Sequence, residues 1–141
     1  MHLGRALGGP IAKRFGELTL GKYGAMNLGP DLDAPSIMAA GGARDLRVLS
    51  VGTRDQLSTI FRLTLAEQLK SAVMLDDQLT QTDTHRMAWL RELIREVTGG
   101  IQVIVFTCRP LDYLLPEEMA GAIDLSKIIE RGGPLEASAA G

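Results

Sequence analysis

An apolar run that ends in two adjacent acids limits what this chain can fold into more than any other feature. Ser71–Leu75 reads as a short apolar segment, and Asp76-Asp77 closes it. A run without polar alternation predicts a buried strand of the kind found in parallel sheets. Before it, Leu57, Ile60, Phe61, Leu65 and Leu69 recur at helical spacing over Asp55–Lys70, with Arg62, Glu67 and Lys70 polar. After it, Asp83 is a good N-cap for a second helix, with Met87, Leu90, Ile94 and Val97 on one face and Gly99-Gly100 at its end. Ile101–Thr107 is a second buried strand. Strand, helix and strand at this length imply a right-handed crossover and parallel pairing, so the fold class is α/β.

The rest of the chain reads as flanking structure. Met1–Gly9 is Gly-rich and predicts a flexible N-terminus, residues 1–9. Pro10 suits the first turn of a short helix through Ile11, Phe15 and Leu18. Thr19–Leu28 looks extended, Gly29-Pro30 stops it, and Asp31–Pro35 is a turn. Ser36–Ala40 and Asp45–Leu49 predict two short strands around a Gly41-Gly42 hairpin turn, completing a small antiparallel element. Beyond the second buried strand, Pro110 starts a loop, Pro116-Glu-Glu-Met opens a short helix, and Ala122–Ile129 predicts a last strand. Residues 131–141 are Gly-, Pro- and Ala-rich and read as a disordered tail, leaving 10–130 as the folded lobe.

Composition excludes several classes. With 141 residues the chain is long enough for one domain with a sizeable core. Aromatics are only 4%, so aliphatic residues must build that core. The 15 basic and 17 acidic residues leave a net charge of −2, and no basic run advertises nucleic acid or a membrane surface. Cys108 is the single cysteine, so an internal disulfide is impossible and a reducing compartment is the default. No signal-peptide core or membrane-length apolar run is present in the sequence, and the expectation is a cytoplasmic protein.

Carboxylates at the C-terminal end of a parallel strand lie at the crevice where α/β sheets bind ligands. In phosphoryl transfer one such Asp supports Mg²⁺ and a neighbouring carboxylate orients or activates water. Asp76 would take the metal and Asp77 the water, because adjacent side chains diverge; two acids ending a strand and starting a loop is the simpler alternative. Upstream, Leu49-Ser50-Val51-Gly52-Thr53 offers two hydroxyls and a backbone free to approach a ligand, just before a helix N-terminus. That is an anion site suited to a terminal phosphate. Taken alone, an ordinary helix capped by Ser50 or Thr53 is favoured.

Together the motifs resemble the C-terminal lobe of ABC-type ATPases, and most of all the SMC-like branch, with its RecF/RecN-type, YhaN-like AAA-family and double-strand-break-repair ATPases. Leu49–Leu57 looks like the signature, Leu75–Asp77 like the Walker B acids and Phe106–Cys108 like the end of the switch strand. Arg14–Tyr23 looks like the run that precedes the signature in that branch. The motifs fall in one order over Pro10 to Tyr113, most of the chain. The resemblance implies an ABC-type P-loop NTPase part. Ser50, Gly52 and Thr53 would contact the γ-phosphate of ATP held by another protomer. Asp76 would support Mg²⁺, Asp77 would be the catalytic carboxylate, and Asp83 would be the D-loop acid at a dimer interface. DNA association, in repair or maintenance, is implied by the family alone.

The sequence departs from the family in three places. The switch strand usually delivers a His, whereas Thr107-Cys108 leads to Arg109, which can bind a γ-phosphate but cannot titrate near neutrality. Val51 replaces a small Gly of the signature. The phosphate-gripping loop has only one look-alike, Gly16-Glu-Leu-Thr-Leu-Gly21-Lys22-Tyr23, and it is rejected. Tyr23 stands where a metal-binding hydroxyl belongs, Ile11–Phe15 is not a buried strand, and Gly24, Gly29 and Pro30 preclude a following helix. Lys22 instead matches a basic residue of the pre-signature strand. Cys108 reads as a buried, inert thiol, Trp89 as packing or an interface anchor, and His2 and His85 are too isolated for a metal site. The expectation is the C-terminal part of an ATPase, inactive alone, with an open sheet edge and uncovered apolar surface for an N-terminal lobe or second protomer. The alternative is a truncated, non-catalytic module that dimerises or caps a partner ATPase.

Overall fold

The computed structural model describes residues 3–29, 35–77 and 79–131. Helix α1 (Leu3–Leu18) leads into strands β1 (Tyr23–Asn27), β2 (Ser36–Ala39) and β3 (Gly42–Asp45). Helix α2 (Val51–Leu69), strand β4 (Val73–Asp76), helix α3 (Thr84–Thr98), strand β5 (Val103–Phe106) and helix α4 (Leu125–Arg131) follow. The first three strands form an antiparallel sheet in the order β1-β2-β3, while β4 and β5 form a separate parallel pair. The chain is thus mixed α/β, with the expected parallel strands and small antiparallel element.

The N-terminus corrects the expectation of a flexible segment. Met1 and His2 lie outside the described residues, but the helix starts at Leu3, not Pro10. Leu7, Ile11, Phe15 and Leu18 repeat along one face and are all buried. Gly4 and Gly8 share that face, and a Cβ at Gly8 would lie 3.4 Å from the Met26 carbonyl. The buried apolar stripe holds the helix against the rest of the core, so packing outweighs the poor helix propensity of its glycines. Pro10 therefore sits inside the helix, where it lacks the N–H that would bond the preceding turn. Pro10→Ala is expected to stabilise the protein by about 1–3 kcal/mol in chemical denaturation. A first-turn proline would give a near-neutral result.

Gly41 and Gly42 make the hairpin turn with φ of +98° and +112°, a backbone region that L side chains rarely adopt. The strand after it ends sooner than expected. Asp45 accepts a hydrogen bond from the Arg47 amide at 2.8 Å and caps a 3-10 turn, Leu46–Val48, in place of a strand to Leu49. The turn expected at Asp31–Pro35 lies outside the described residues for 31–34. At the other end, the strand expected over Ala122–Ile129 is replaced by α4. Asp124 accepts from the Ser126 amide at 3.0 Å, and Leu125, Ile128 and Ile129 have helical spacing, a pattern that a β reading of the apolar residues overlooks.

The second half of the lobe positions the acids. Ser50 caps α2, which begins four residues before the expected Asp55, and Lys70 ends it in the left-handed conformation. Arg14 of α1 donates to the Thr64 hydroxyl at 2.9 Å and pairs with Glu67, fastening α1 to α2. Strand β4 runs parallel to β5 in register from Val73↔Val103 to Asp76↔Phe106. Leu75 packs in the core between the helices, with Val73, Val103 and Val105 partly buried against it. The opposite face is open: Met74 is 64% exposed, Ile104 37% and Phe106 45%. Among the described residues the strands are covered on one face only, which corrects the fully buried reading and leaves apolar surface exposed.

Candidate functional site

Two groups of residues sit at the end of β4 and the start of α2. At the first, Asp76 leaves the sheet opposite Phe106 and is exposed. The next residue turns back onto β5. The Asp77 amide donates to the Phe106 carbonyl at 3.0 Å. Its carboxylate accepts from the Thr107 hydroxyl at 3.1 Å, and from the Cys108 amide at 3.3 Å and thiol at 3.2 Å. Thr107 accepts in turn from the Arg109 amide at 2.9 Å. The end of the expected switch strand thus grips the expected catalytic acid directly.

Charge follows this geometry. Desolvation pushes the Asp77 carboxyl up, but the hydrogen bonds from Cys108 and Thr107 and the nearby Arg109 charge outweigh it, leaving the group below its ordinary value. The Asp77 contact and charge push the Cys108 thiol up. Cys108 is exposed, not buried as expected, because the chain leaves the sheet at Phe106. The adjacent carboxylate disfavours a thiolate there. Arg109 pairs with Asp112 at 3.1 Å and is partly exposed, so its guanidinium already has an anionic partner. Buried Tyr113 is an aromatic neighbour that the motifs do not single out; burial first, then the Asp77 and Asp112 charges, push its phenol up to about 12.

The sign of the Asp77 shift gives a test. A carboxyl held below its unfolded value adds stability above that value and loses it as pH falls through the folded pKa. Thr107→Val removes one of the donors, so the Asp77 pKa is expected to rise and this acid-side loss to begin at higher pH. Titration of the side-chain carboxyl carbon by NMR measures the shift.

At the second group, Ser50 and Thr53 are turned on each other. Their hydroxyl oxygens are 2.7 Å apart, and the Thr53 amide donates to Ser50 Oγ at 3.3 Å. The N-terminus of the 19-residue α2 lies directly beyond. Gly52 has a close neighbour: an added Cβ would lie 3.2 Å from the Gln81 carbonyl. Its missing side chain lets the segment between β4 and α3 approach the turn. Asp83 accepts from the Arg86 amide at 2.9 Å as the cap of α3 and pairs with the Arg86 side chain at 3.4 Å. Buried Gln56 joins these pieces, donating to Thr82 Oγ1 at 3.3 Å and accepting from Arg86 at 3.1 Å. Its sequence signal is a polar residue on the Ile60–Leu63 stripe, where an amide faces the core.

The structure therefore gathers Asp76, Asp77 and Arg109 at one strand end, and Ser50, Gly52, Thr53 and Asp83 around one helix start. Among the described residues no hydrogen bond joins the two groups directly. No cluster of three or more His, Cys, Asp or Glu side chains able to hold a metal occurs among the described residues. A lone exposed Asp76 still fits Mg²⁺ of the kind that keeps its waters and arrives with phosphates. Asp77 does not fit as a further direct ligand while Thr107 and Cys108 occupy its oxygens. The look-alike phosphate loop runs from the end of α1 through a turn into β1, helix to strand. A phosphate loop runs from strand to helix, so this segment has the wrong order. No helix among the described residues is long and apolar enough to cross a membrane.

No family model matches the sequence, and no curated protein matches it. Solved structures do match, 26 chains in all. One of them comes from work described as the structural biochemistry of ATP-driven dimerization and DNA-stimulated activation of SMC ATPases. It superposes with a TM-score of 0.59 at 16% identity, over 77% of this chain and 70% of that one. At that identity the likeness establishes the fold: this chain is built like part of an SMC ATPase.

Proposed function

We propose that the chain supplies the signature turn and Walker B acids of a composite ATPase, completed by a lobe that carries the phosphate loop. The observation that carries this reading is Asp76-Asp77 at the end of a parallel strand, with Asp77 held by the neighbouring strand end. The SMC-like fold supports it. In this arrangement Asp77 accepts a hydrogen bond from the water attacking the γ-phosphate and orients it. The hydrogen bonds from Cys108 and Thr107 that lower its pKa favour the carboxylate form. Asp76 would hold Mg²⁺, which would supply positive charge to offset that on the phosphate oxygens. Ser50 and Thr53 present hydroxyls, and α2 its N-terminus, to the γ-phosphate of ATP on an opposing protomer. Arg109 adds positive charge at the strand end, after exchanging Asp112 for phosphate. Asp83 belongs to the segment that meets the opposing protomer.

The open face of Met74, Ile104 and Phe106 supports docking of the completing lobe, whether that lobe is in the same polypeptide or another. The likeness to an SMC ATPase studied for its DNA-stimulated activation favours DNA as a further partner of the assembly. A cytoplasmic setting accords with this reading. The test is reconstitution. The chain alone should leave ATP intact, and the chain joined to an SMC-type N-terminal lobe should hydrolyse it and dimerise with ATP. Turnover by the chain alone that Lys22→Ala abolishes would restore the rejected loop. ATP-independent association without hydrolysis in the joined form would favour the non-catalytic module, which the same open face could serve.

A further inference from the structure

We propose that Gln56 is a positioning residue that couples the Ser50–Thr53 turn to the acidic segment between β4 and α3. Gln56 is 2% exposed, so it has little surface to offer a substrate directly. Its amide instead uses both ends. Nε2 donates to Thr82 Oγ1 at 3.3 Å, and Oε1 accepts from Arg86 Nη1 at 3.1 Å. Arg86 also pairs with Asp83 through Nε at 3.4 Å, and its own amide is capped by the Asp83 carboxylate. Three elements thus meet on one buried amide: the first turns of α2, the 79–83 segment and the start of α3.

Gly52 makes a second link between the same partners. With no Cβ, it leaves room for the Gln81 carbonyl against α2, one residue before Thr82. Gln56 lies one turn further along α2 than Gly52, so both face the 79–83 segment. A phosphate that shifts the Ser50–Thr53 end of α2 therefore moves the support under Thr82 and Asp83. A shift of Asp83 at an opposing surface moves α2 in return, since coupling is reciprocal. This functional consequence rests on the composite-ATPase reading; the mechanical coupling itself does not.

Hydrogen exchange on the full chain tests the coupling. The Thr82 amide, bonded to the Leu79 carbonyl at 3.1 Å, reports on the segment. In Gln56→Leu its exchange should rise roughly tenfold while the central amides of α2 and α3 keep their protection. Gln56→Glu should rescue it, because a carboxylate can accept from Arg86 and from the Thr82 hydroxyl together. Thr82→Val removes the same bond from the loop side and gives the same local rise if Gln56→Leu does not fold. The double variant should exchange no faster than Gln56→Leu. Unchanged Thr82 exchange overturns the proposal, and so does a rise that spreads equally through α2 and α3, which marks a merely structural residue. No nucleotide enters this measurement, so its failure leaves the ATPase reading intact, and failure of reconstituted ATP hydrolysis leaves the coupling intact.

Discussion

Asp77→Asn is expected to lower ATP hydrolysis in the proposed reconstituted assembly by about 10²–10⁴-fold, while the protein stays folded and still associates with ATP. The substitution is nearly isosteric. The Asn carbonyl can accept from the Cys108 amide and thiol, and its NH₂ can donate to the Thr107 hydroxyl oxygen. The grip of β5 on this position therefore survives, and what is lost is the negative charge. An amide neither draws a proton from attacking water nor stabilises the charge that develops on it. The Asp76→Asn variant separates the neighbouring role, because it should weaken Mg²⁺-dependent nucleotide engagement and leave Asp77 in place. Single-turnover hydrolysis, ATP-induced dimerisation and circular dichroism measured together decide the matter. Hydrolysis by Asp77→Asn within about threefold of the unaltered protein removes Asp77 from the chemistry.

The acids are legible in the sequence because their surroundings are local. A strand of four residues, a capped helix and a second β-branched run follow from neighbouring residues, and the structure places β4, α3 and β5 where the sequence pattern predicts them. The Asp83 cap is visible for the same reason, since a cap bonds only three residues ahead. What the sequence hides depends on distant partners. Gly4, Gly8 and Pro10 argue against a helix by local propensity, and only the buried stripe against β1 outweighs that preference. The Asp77–Thr107–Cys108 grip crosses about thirty residues of chain, and nothing in either segment announces it. Cys108 follows a strand pattern that suggests a core position, whereas the strand ends before it. Gln56 lies within the signature-like motif, yet the motif gives it no role, because its partners Thr82 and Arg86 belong to another part of the chain.

The helix that local propensity obscures is also where the largest loss of stability is expected. Phe15→Ala should cost about 3–5 kcal/mol, a large share of the roughly 5–15 kcal/mol that holds a domain of this kind folded. Phe15 is fully buried, and its ring stacks on Tyr23 with centroids 5.3 Å apart and planes 22° from parallel. It stands near the end of α1, where the chain reverses into β1 through Leu20 and Gly21 at φ of +53° and +78°. The ring joins the helix to the antiparallel sheet just where that turn fixes their relative position. Its removal leaves a cavity that α1 cannot close by sliding, because Arg14 is tied to Thr64 and Glu67 of α2. Phe15→Leu keeps part of the volume and should cost less than half as much. The chain has one tryptophan, Trp89, partly buried against the same core, so its fluorescence in urea reports the whole lobe. A Phe15→Ala cost below about 1 kcal/mol would mean that α1 is undocked in solution, and the Gly-rich N-terminal segment would then be a flexible arm after all.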